Sequence, residues 1–258
     1  MEKEAGILMR DVVILIPARY GSSRFPGKPL ALIAGIPLIL RVAKICAEAL
    51  GIENVFIVTD DNRIAEICEV NDYQTLISSG DCVTGTDRIA SVIDLIPSRI
   101  YLNVQGDEPL ISPDDILKVY AEKLKHPESV INGVARYEVE QGVVESSVPK
   151  VVMNEKNELM YISRANIPFI HNKKNFNSAI YYRQVCIYAF NGPQLKSFLA
   201  LDRRSYLENL EDVEILRFFE LNTKIKMVFV SESIAVDYPE DINKVEKALS
   251  HRGDNYNL

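Results

Sequence analysis

The sequence contains few of the residues that build zinc sites and disulfide frameworks. Its four cysteines (Cys46, Cys68, Cys82 and Cys186) include no Cys-x-x-Cys pair, and its three histidines are scattered along 258 residues. This spacing argues against a zinc site and against a fold held together by disulfides. We therefore expect the cysteines to be buried thiols of a protein in a reducing compartment.

Long apolar runs and an excess of positive charge are also missing. No segment approaches the ~20 apolar residues that a membrane-spanning helix needs, and the chain begins with acids where a signal peptide carries bases. The 29 Lys and Arg residues against 36 Asp and Glu residues give a net charge of -7, whereas a general nucleic-acid-binding surface needs a basic excess. We expect a cytoplasmic protein that binds neither a membrane nor a nucleic acid.

The first half of the chain alternates apolar strands with helical patterns. Strands are predicted over 12–16, 55–59, 74–78 and 100–104, and helices over 38–50, 61–70, 86–96 and 113–123. Short loops join them, and such alternation is typical of a mostly parallel sheet with right-handed crossovers. The sequence therefore predicts an α/β fold with a doubly wound, mostly parallel sheet.

The second half interrupts this alternation. Strand patterns over 130–135, 150–152, 160–163 and 185–190 follow one another without helices, which indicates an antiparallel extension or a small β-rich insertion. Helices near 193–201 and 208–220, a strand over 225–230 and a helix over 239–249 complete the chain. We predict one domain over 1–258, with parts at about 12–125, 126–225 and 226–250.

The Gly/Pro loop that follows the first strand concentrates positive charge. It carries Arg19, Arg24 and Lys28 beside Gly21 and Ser22. Ligands bind at the carboxyl ends of strands in a doubly wound sheet. Arginine binds phosphate through two parallel N–H groups, and lysine binds it as a compact single charge. The loop matches neither the dinucleotide fingerprint nor the P-loop. It predicts phosphate binding, with a solvated turn that carries incidental charges as the alternative.

Two acidic segments are candidates for a metal site. Asp107 follows the fourth predicted strand and would face the same crevice as the phosphate loop. Mg²⁺ is held by one or two carboxylates together with substrate phosphates, which makes Asp107 a predicted ligand. Asp237 could supply the second carboxylate or could cap the helix that begins near Pro239. The spacing alone leaves that choice open.

Five motifs occur in this order: Ile-Pro-Ala-Arg-Tyr-Gly-Ser-Ser-Arg-Phe-Pro-Gly-Lys-Pro-Leu over 16–30, Gly-Thr-Asp-Arg over 85–88, Val-Gln-Gly-Asp-Glu-Pro-Leu-Ile over 104–111, Ser-Arg-Ala-Asn-Ile-Pro over 163–168 and Val-Asp-Tyr-Pro-Glu-Asp over 236–241. Together they resemble one family, the 3-deoxy-manno-octulosonate (Kdo) cytidylyltransferases. The resemblance extends from about residue 12 to 249. It implies a fold of the nucleotide-diphospho-sugar transferase type.

The resemblance also implies an activity. Such an enzyme transfers CMP from CTP to the anomeric hydroxyl of Kdo or a close derivative and releases pyrophosphate, for lipopolysaccharide or capsule biosynthesis. The family implies two Mg²⁺ ions, a homodimer, a nucleotide-binding part over about 12–125 and a sugar-binding and dimerisation part over about 126–225. One metal could lower the pKa of the attacking hydroxyl, so we expect in-line transfer without a dedicated side-chain base or a covalent intermediate.

The matching positions imply three sets of site residues. The CTP-binding set, with Gln105 near the cytosine and ribose, is Arg19, Ser22, Arg24, Lys28 and Gln105. The metal ligands are Asp107 and Asp237, which with Arg19 and Lys28 make up the catalytic set. The sugar-binding set is Arg164, Gln184, Tyr188, Glu208 and Glu211.

Departures from the family pattern fall on the sugar side. Gln184 stands where the family usually has His, Cys186 where it has Gly, and Ile215 where it has Gln. The segment that leads to Asp237 is reminiscent of relatives that use 8-amino-8-deoxy-Kdo. The sugar could therefore be Kdo, a modified Kdo or another 2-keto-3-deoxy acid such as a nonulosonic acid. A nucleotide-binding regulator without catalysis is a further alternative, against which intact Lys28, Asp107 and Asp237 argue.

Overall fold

The computed structural model describes residues 9–22, 24–138, 145–172, 180–201 and 203–252. Its strands are β1 (Arg10–Ala18), β2 (Leu32–Ile33), β3 (Ile36–Pro37), β4 (Val55–Thr59), β5 (Gln74–Ile77), β6 (Ser98–Val104), β7 (Val130–Tyr137), β8 (Lys150–Met153), β9 (Leu159–Ser163), β10 (Tyr181–Phe190) and β11 (Ile225–Phe229). Its α-helices are α1 (Leu38–Leu50), α2 (Asn62–Val70), α3 (Gly85–Ala90), α4 (Pro113–Lys125), α5 (Gly192–Leu199), α6 (Tyr206–Glu211), α7 (Leu216–Glu220) and α8 (Asp241–Arg252).

One nine-stranded sheet organises the molecule, and its main path runs β11-β7-β10-β6-β1-β4-β5. The pairs β6–β1, β1–β4, β4–β5 and β7–β11 are parallel, whereas β10 is antiparallel to both β6 and β7. This confirms the predicted mostly parallel α/β sheet. The strands of the second half extend it in antiparallel fashion, and the β8–β9 hairpin joins β10 through the pairing of Arg183 with Lys150.

Helices cover both faces of the sheet, which explains why β1 is apolar without alternation. Ile14 and Ile16 pack into a core beneath α1, α2, α4 and α8, while Val13 and Leu15 pack into a second core beneath α3, α5 and α7. All four of these side chains have no exposed surface. A strand buried on both faces reads as a continuous apolar run.

Three predicted helices differ from the structure. The helix predicted over 86–96 ends at Ala90, where the Ser91 hydroxyl donates to the carbonyl of Arg88 and competes with the helical ladder. The helix predicted over 208–220 is two helices, because Asp212 adopts a left-handed conformation with φ of 51° between them. The last helix begins at Asp241 rather than at 239.

The prediction that all four cysteines are buried is confirmed for two of them and wrong for the other two. Cys46 and Cys68 are buried free thiols, as predicted, whereas Cys82 and Cys186 are free thiols at partly exposed positions. The prediction of buried cysteines is therefore wrong for these two, since both line cavities at the edge of the sheet. Within the described ranges, every helix is too short or too polar to cross a membrane.

Candidate active site

Two adjoining cavities open at the edge of the sheet where the parallel strands β1 and β6 end. The small cavity, of about 180 Å³, lies against the loop after β1, and the large cavity, of about 640 Å³, extends from there to β10 and to the turn between α6 and α7. The cavities share walls formed by Arg19, Arg24, Gln105, Asp107 and Asp237. Carboxyl ends of parallel strands are the usual ligand-binding edge of such a sheet.

The loop after β1 is closed around one backbone carbonyl. The carbonyl of Tyr20 accepts hydrogen bonds from the N–H groups of Ser22 and Gly27, both at 2.9 Å. Gly27 has φ of 71°, a left-handed conformation that glycine adopts at little cost. The small cavity is lined by all four basic and hydroxyl residues predicted for this loop: Arg19, Ser22, Arg24 and Lys28.

The structure brings Asp107 and Asp237 to the same wall and pairs each with a cation of the loop. The Lys28 ammonium donates to Asp107 Oδ2 at 2.7 Å and to the carbonyl of Val236 at 2.9 Å. The Arg24 guanidinium lies 3.1 Å from Asp237 Oδ1. The N–H of Val236 donates to the carbonyl of Asp107 at 2.9 Å, which holds the two acidic segments together.

The segment before the last helix is held by Asp241, the first residue of that helix. Asp241 Oδ2 accepts hydrogen bonds from the N–H groups of Asp237 at 3.0 Å and Tyr238 at 2.9 Å. The carboxylate of Asp237 is thereby left to face the loop and Arg24. The sequence could not separate a ligand role from a capping role for Asp237, because both acids stand within one short segment.

The donor chemistry of this wall fits a hard divalent cation. Asp107 and Asp237 offer carboxylate oxygens, the ligands that Mg²⁺ prefers. Over the residues that the structure describes, no group of three or more His, Cys, Asp or Glu side chains is placed to hold a metal ion. An ion at this wall would complete its shell with water and substrate oxygens, which is the usual pattern for Mg²⁺ at nucleotide sites.

The start of α3 forms the neighbouring wall. Thr84 caps the helix by accepting from the N–H of Asp87 at 3.1 Å, while Asp87 Oδ2 accepts from the N–H of Thr84 at 2.9 Å. A Cβ atom on Gly85 would lie 2.5 Å from the Gln105 side-chain nitrogen. Glycine at 85 therefore lets Gln105 pack directly across the start of the helix.

Glu214 joins these two elements and was not predicted from the sequence as a site residue. Its Oε1 accepts from the Gln105 side chain and its Oε2 from the N–H of Thr86, both at 3.0 Å. Burial raises the pKa of this carboxyl group, which lines the large cavity. The available signal was its place directly before Ile215, in a segment that resembles a family motif.

Arg164 lies at the large cavity but uses its guanidinium to hold two loops together. It donates to the carbonyls of Glu211 at 2.7 Å, Asp212 at 2.9 Å and Ser146 at 2.9 Å. The Glu211 carboxylate accepts from the Ser163 hydroxyl at 2.7 Å and from the Arg164 N–H at 2.9 Å. Glu211 is not among the residues that line either cavity, so the structure places it behind the wall.

Glu208 reaches the wall of the large cavity with both carboxylate oxygens already engaged. Arg217 donates to the two oxygens at 2.7 Å each and also donates to Asp87 Oδ1 at 2.6 Å. The side chains of Arg217 and Glu208 are each 1% exposed. This buried group connects α6 and α7 to the start of α3 and thereby fixes the wall between them.

The remaining predicted sugar-side residues have different surroundings. Gln184 and Tyr188 are buried in β10 and line the large cavity. Ile215 is 1% exposed and packs in the core beneath α7 rather than facing the cavity. Of the sequence departures noted above, Gln184 and Cys186 therefore alter the cavity wall directly, whereas Ile215 alters the core.

Further charged groups line the large cavity without having been predicted. Arg183 donates to the carbonyl of Ser233 at 2.8 Å, and Arg204 pairs with Asp212 at 2.7 Å. Glu108 is buried directly after Asp107, and its burial raises the pKa of its carboxyl group. Glu108 lies within the motif over 104–111, whereas no sequence motif indicated that Arg183 and Arg204 reach the cavity.

Comparisons with known proteins identify the family. The family model described as cytidylyltransferase matches residues 13–225. The chain belongs to the cytidylyltransferase family. The match covers most of β1 and the loop after it, β6 with Asp107, and the strands β7 to β10, so the predicted nucleotidyltransferase activity is confirmed for this cytidylyltransferase.

Curated relatives agree over almost the whole chain. A protein of Shewanella oneidensis named 8-amino-3,8-dideoxy-manno-octulosonate cytidylyltransferase is 38% identical over 247 residues, which are 93% of this chain and 99% of the relative. A protein of Shewanella baltica with the same name is 37% identical over the same shares. Both names agree with the predicted Kdo-type resemblance.

Solved structures support the same fold. A CMP:2-keto-3-deoxy-manno-octonic acid synthetase in complex with CTP has a TM-score of 0.85 and 32% identity, covering 94% of this cytidylyltransferase and 99% of that chain. A 4-diphosphocytidyl-2C-methyl-D-erythritol synthase from Anaerococcus prevotii has a TM-score of 0.62 at 15% identity over 93% of this chain and 96% of its own, a likeness of fold alone.

Proposed function

We propose that this cytidylyltransferase transfers CMP from CTP to the anomeric hydroxyl of 8-amino-3,8-dideoxy-manno-octulosonate and releases pyrophosphate. The nucleotidyl transfer is supported by one wall of the site, on which Lys28 pairs with Asp107 at 2.7 Å and Arg24 pairs with Asp237 at 3.1 Å. Cations and metal-binding carboxylates at one edge are what a triphosphate requires. The names of the Shewanella relatives support the sugar.

Kdo itself is the second candidate sugar. The solved structure with a TM-score of 0.85 carries a name for the 8-hydroxy sugar, at 32% identity against 38% for the amino-sugar relative. The two sugars differ only in the substituent at carbon 8. Two arginines at the large cavity, Arg183 and Arg204, suit the carboxylate that both sugars carry.

Asp107 and Asp237 would hold Mg²⁺, and we propose two ions, as the family resemblance implies. When bound, the metal neutralises phosphate charge and lowers the pKa of a coordinated hydroxyl. The residues of the chain supply the rest: Arg19, Arg24 and Lys28 neutralise and orient the triphosphate in the small cavity. Gly85 and Gln105 position the cytosine and ribose, and the large cavity positions the sugar hydroxyl for in-line attack.

The decisive experiment offers CTP and Mg²⁺ with a panel of 2-keto-3-deoxy sugars and measures pyrophosphate release. We expect release with the 8-amino sugar, slower release with Kdo, and none without a sugar. Faster turnover with Kdo would select the second candidate. CTP binding without turnover on any sugar of the panel would contradict transfer and favour a regulator.

We also propose a homodimer, with the segment around residues 167–190 at its interface, as the family resemblance implies. Phe169 is 82% exposed and Ile180 is 49% exposed, whereas Tyr181 is buried and Tyr182 packs edge-on against Phe229. Tyr181 and Tyr182 therefore pack locally, whereas Phe169 and Ile180 are the exposed large apolar residues in the part of this segment that the structure describes. Sedimentation velocity tests this: we expect a dimer that Phe169→Glu dissociates, and a monomeric parent protein would contradict it.

A further inference from the structure

An irregularity in β10 lies beside the buried residue Gln184. Val185 pairs with Gly133 and Tyr188 with Asn132, so residues 186 and 187 have no counterpart on β7. This bulge interrupts the ladder and turns Cys186 towards the cavity. A Cβ atom on Gly133 would lie 2.6 Å from the Ile187 side chain, so glycine opposite the bulge makes room for it.

Asn132 occupies the gap in the ladder, and its orientation is fixed there. It has no exposed surface, and its side-chain nitrogen donates to the backbone carbonyls of Val185 at 2.9 Å and Ile187 at 3.0 Å. Carbonyl oxygens only accept hydrogen bonds, so the nitrogen of the amide must lie on this side. The oxygen of the Asn132 amide must consequently face the other way.

The fixed Asn132 amide determines the orientation of Gln184. The Gln184 nitrogen donates to Asn132 Oδ1 at 3.0 Å and to the Tyr188 hydroxyl oxygen at 3.3 Å. A side-chain amide has two N–H hydrogens, and these two contacts use both. The group that Gln184 has left to offer to the large cavity is its carbonyl oxygen, which only accepts.

We propose that Asn132 is a positioning residue that locks Gln184 as a hydrogen-bond acceptor, and that this oxygen binds a hydroxyl or ammonium group of the sugar. The inference rests on the proposed function, since it concerns the sugar of that reaction. Arg183 and Arg204 of the same cavity donate and suit the sugar carboxylate. Gln184 supplies a hydrogen-bond acceptor instead, and it therefore favours sugars that carry a hydrogen-bond donor at the matching position.

The first test compares the parent enzyme with Gln184→Met, which keeps the side-chain length and removes the acceptor. The sugars are the 8-amino sugar, Kdo and Kdo analogues that each lack one hydroxyl. We expect kcat/KM for the sugar to fall by about tenfold or more in the variant, with KM for CTP unchanged. The parent should lose a similar factor on the sugar that lacks the contacted donor, and on that sugar the two enzymes should be equal.

Four results of this test would count against the proposals, and they are distinguishable. An equal loss on every sugar, or no loss at all, would overturn the role of Gln184. A raised KM for CTP at unchanged sugar KM would assign Gln184 to the nucleotide and overturn it as well. A parent enzyme that transfers CMP to no sugar of the panel would instead refute the proposed function.

The second test addresses Asn132 by combining variants. Asn132→Ala should lower kcat/KM for the sugar in the parent enzyme and cost little more in the Gln184→Met background, because Asn132 acts through Gln184. If the losses in kcat/KM of the two single variants added in full in the double variant, the positioning role of Asn132 would be overturned. Melting temperatures report on folding, and Asn132→Ser, which keeps one hydrogen-bond donor, is the milder variant should Asn132→Ala fail to fold.

Discussion

The two ends of the active-site region use charge in opposite ways. At the loop after β1, the ion pair of Lys28 with Asp107 keeps 17% and 27% of its side chains exposed. Behind the large cavity, Arg217 and Glu208 are almost completely buried and joined at 2.7 Å. Exposed pairs can exchange partners with an incoming triphosphate, whereas a buried pair holds the surrounding backbone in one geometry.

The largest expected effect is on turnover, at the exposed end. Asp107→Asn should lower kcat by about 10³-fold, because the reaction needs charge neutralisation at the phosphates. The melting temperature should change little, since the pair with Lys28 is partly exposed. Pyrophosphate release and thermal unfolding measure the two quantities.

The matched control for this variant is Asp114→Asn, an exposed acid in the first turn of α4. It should retain the parent rate. A near-normal kcat in Asp107→Asn would contradict the proposal that Asp107 binds the metal. A large loss of stability would mean that Asp107 has a structural role, like the buried pair of Arg217 and Glu208.

The second prediction concerns stability at the buried end. Arg217→Met leaves the carboxylates of Glu208 and Asp87 buried without their cation and should lower the free energy of unfolding by about 3–5 kcal/mol. Arg24→Met removes a partly exposed partner of Asp237 and should cost less than about 1 kcal/mol. Because the chain has no tryptophan, urea unfolding is best followed by circular dichroism.

Arg99→Met provides the baseline for both variants, since Arg99 is exposed and pairs with exposed Asp11 at 3.4 Å. It should leave the unfolding midpoint unchanged. Equal destabilisation by Arg24→Met and Arg217→Met would remove the contrast between the two ends of the site.

The same contrast explains what the sequence could predict. The nucleotide end, at the loop after β1, can be predicted from local rules. β1 is apolar on both faces, and the loop that follows such a strand must reach the ligand-binding edge of the sheet. Asp107 follows β6 and reaches the same edge. These features are contiguous in sequence, so their placement needs the sheet order and little else.

The sugar end depends on contacts that sequence patterns do not reveal. Glu208 turns towards Arg217 because Asp212 ends α6 with a left-handed residue, a break that the helical pattern over 208–220 conceals. Asn132 contacts Gln184 across 52 residues of sequence. A family resemblance gives the positions of such residues and leaves the direction of each side chain undetermined.

A third prediction tests the boundary between the two ends. Gly85→Ala places a Cβ atom 2.5 Å from the Gln105 side chain, which must move and lose its hydrogen bond to Glu214. Because Gln105 is a long, flexible side chain that can rotate away, we expect the variant to fold. We expect its KM for CTP to rise by about tenfold, because the position of Gln105 is lost. Steady-state kinetics at saturating sugar give this value.

Gly80→Ala is the control, because a Cβ atom there would have no neighbour within 4 Å. It should keep the parent KM. If both alanine variants bound CTP equally well, the contact between Gln105 and the start of α3 would have no part in nucleotide binding.

The smallest expected effect is a difference in thiol labelling, which leaves the fold intact. Cys82 lines the small cavity and Cys186 the large one, while Cys46 and Cys68 have no exposed surface. Burial raises the pKa of Cys68 to about 12 and the pKa of Cys186 well above its ordinary value. The thiolate is the reactive form, so at pH 8 a thiol reagent should modify Cys82 first and Cys186 more slowly.

Ligands should separate the two thiols further. CTP with Mg²⁺ should protect Cys82, and the sugar should add protection at Cys186, as peptide mass spectrometry after timed labelling would report. Cys46 and Cys68 should react only in urea, and a higher pH should speed the labelling of Cys186. Protection of both thiols by CTP alone would mean that the nucleotide occupies both cavities, and the division of the site into two ends would then be wrong.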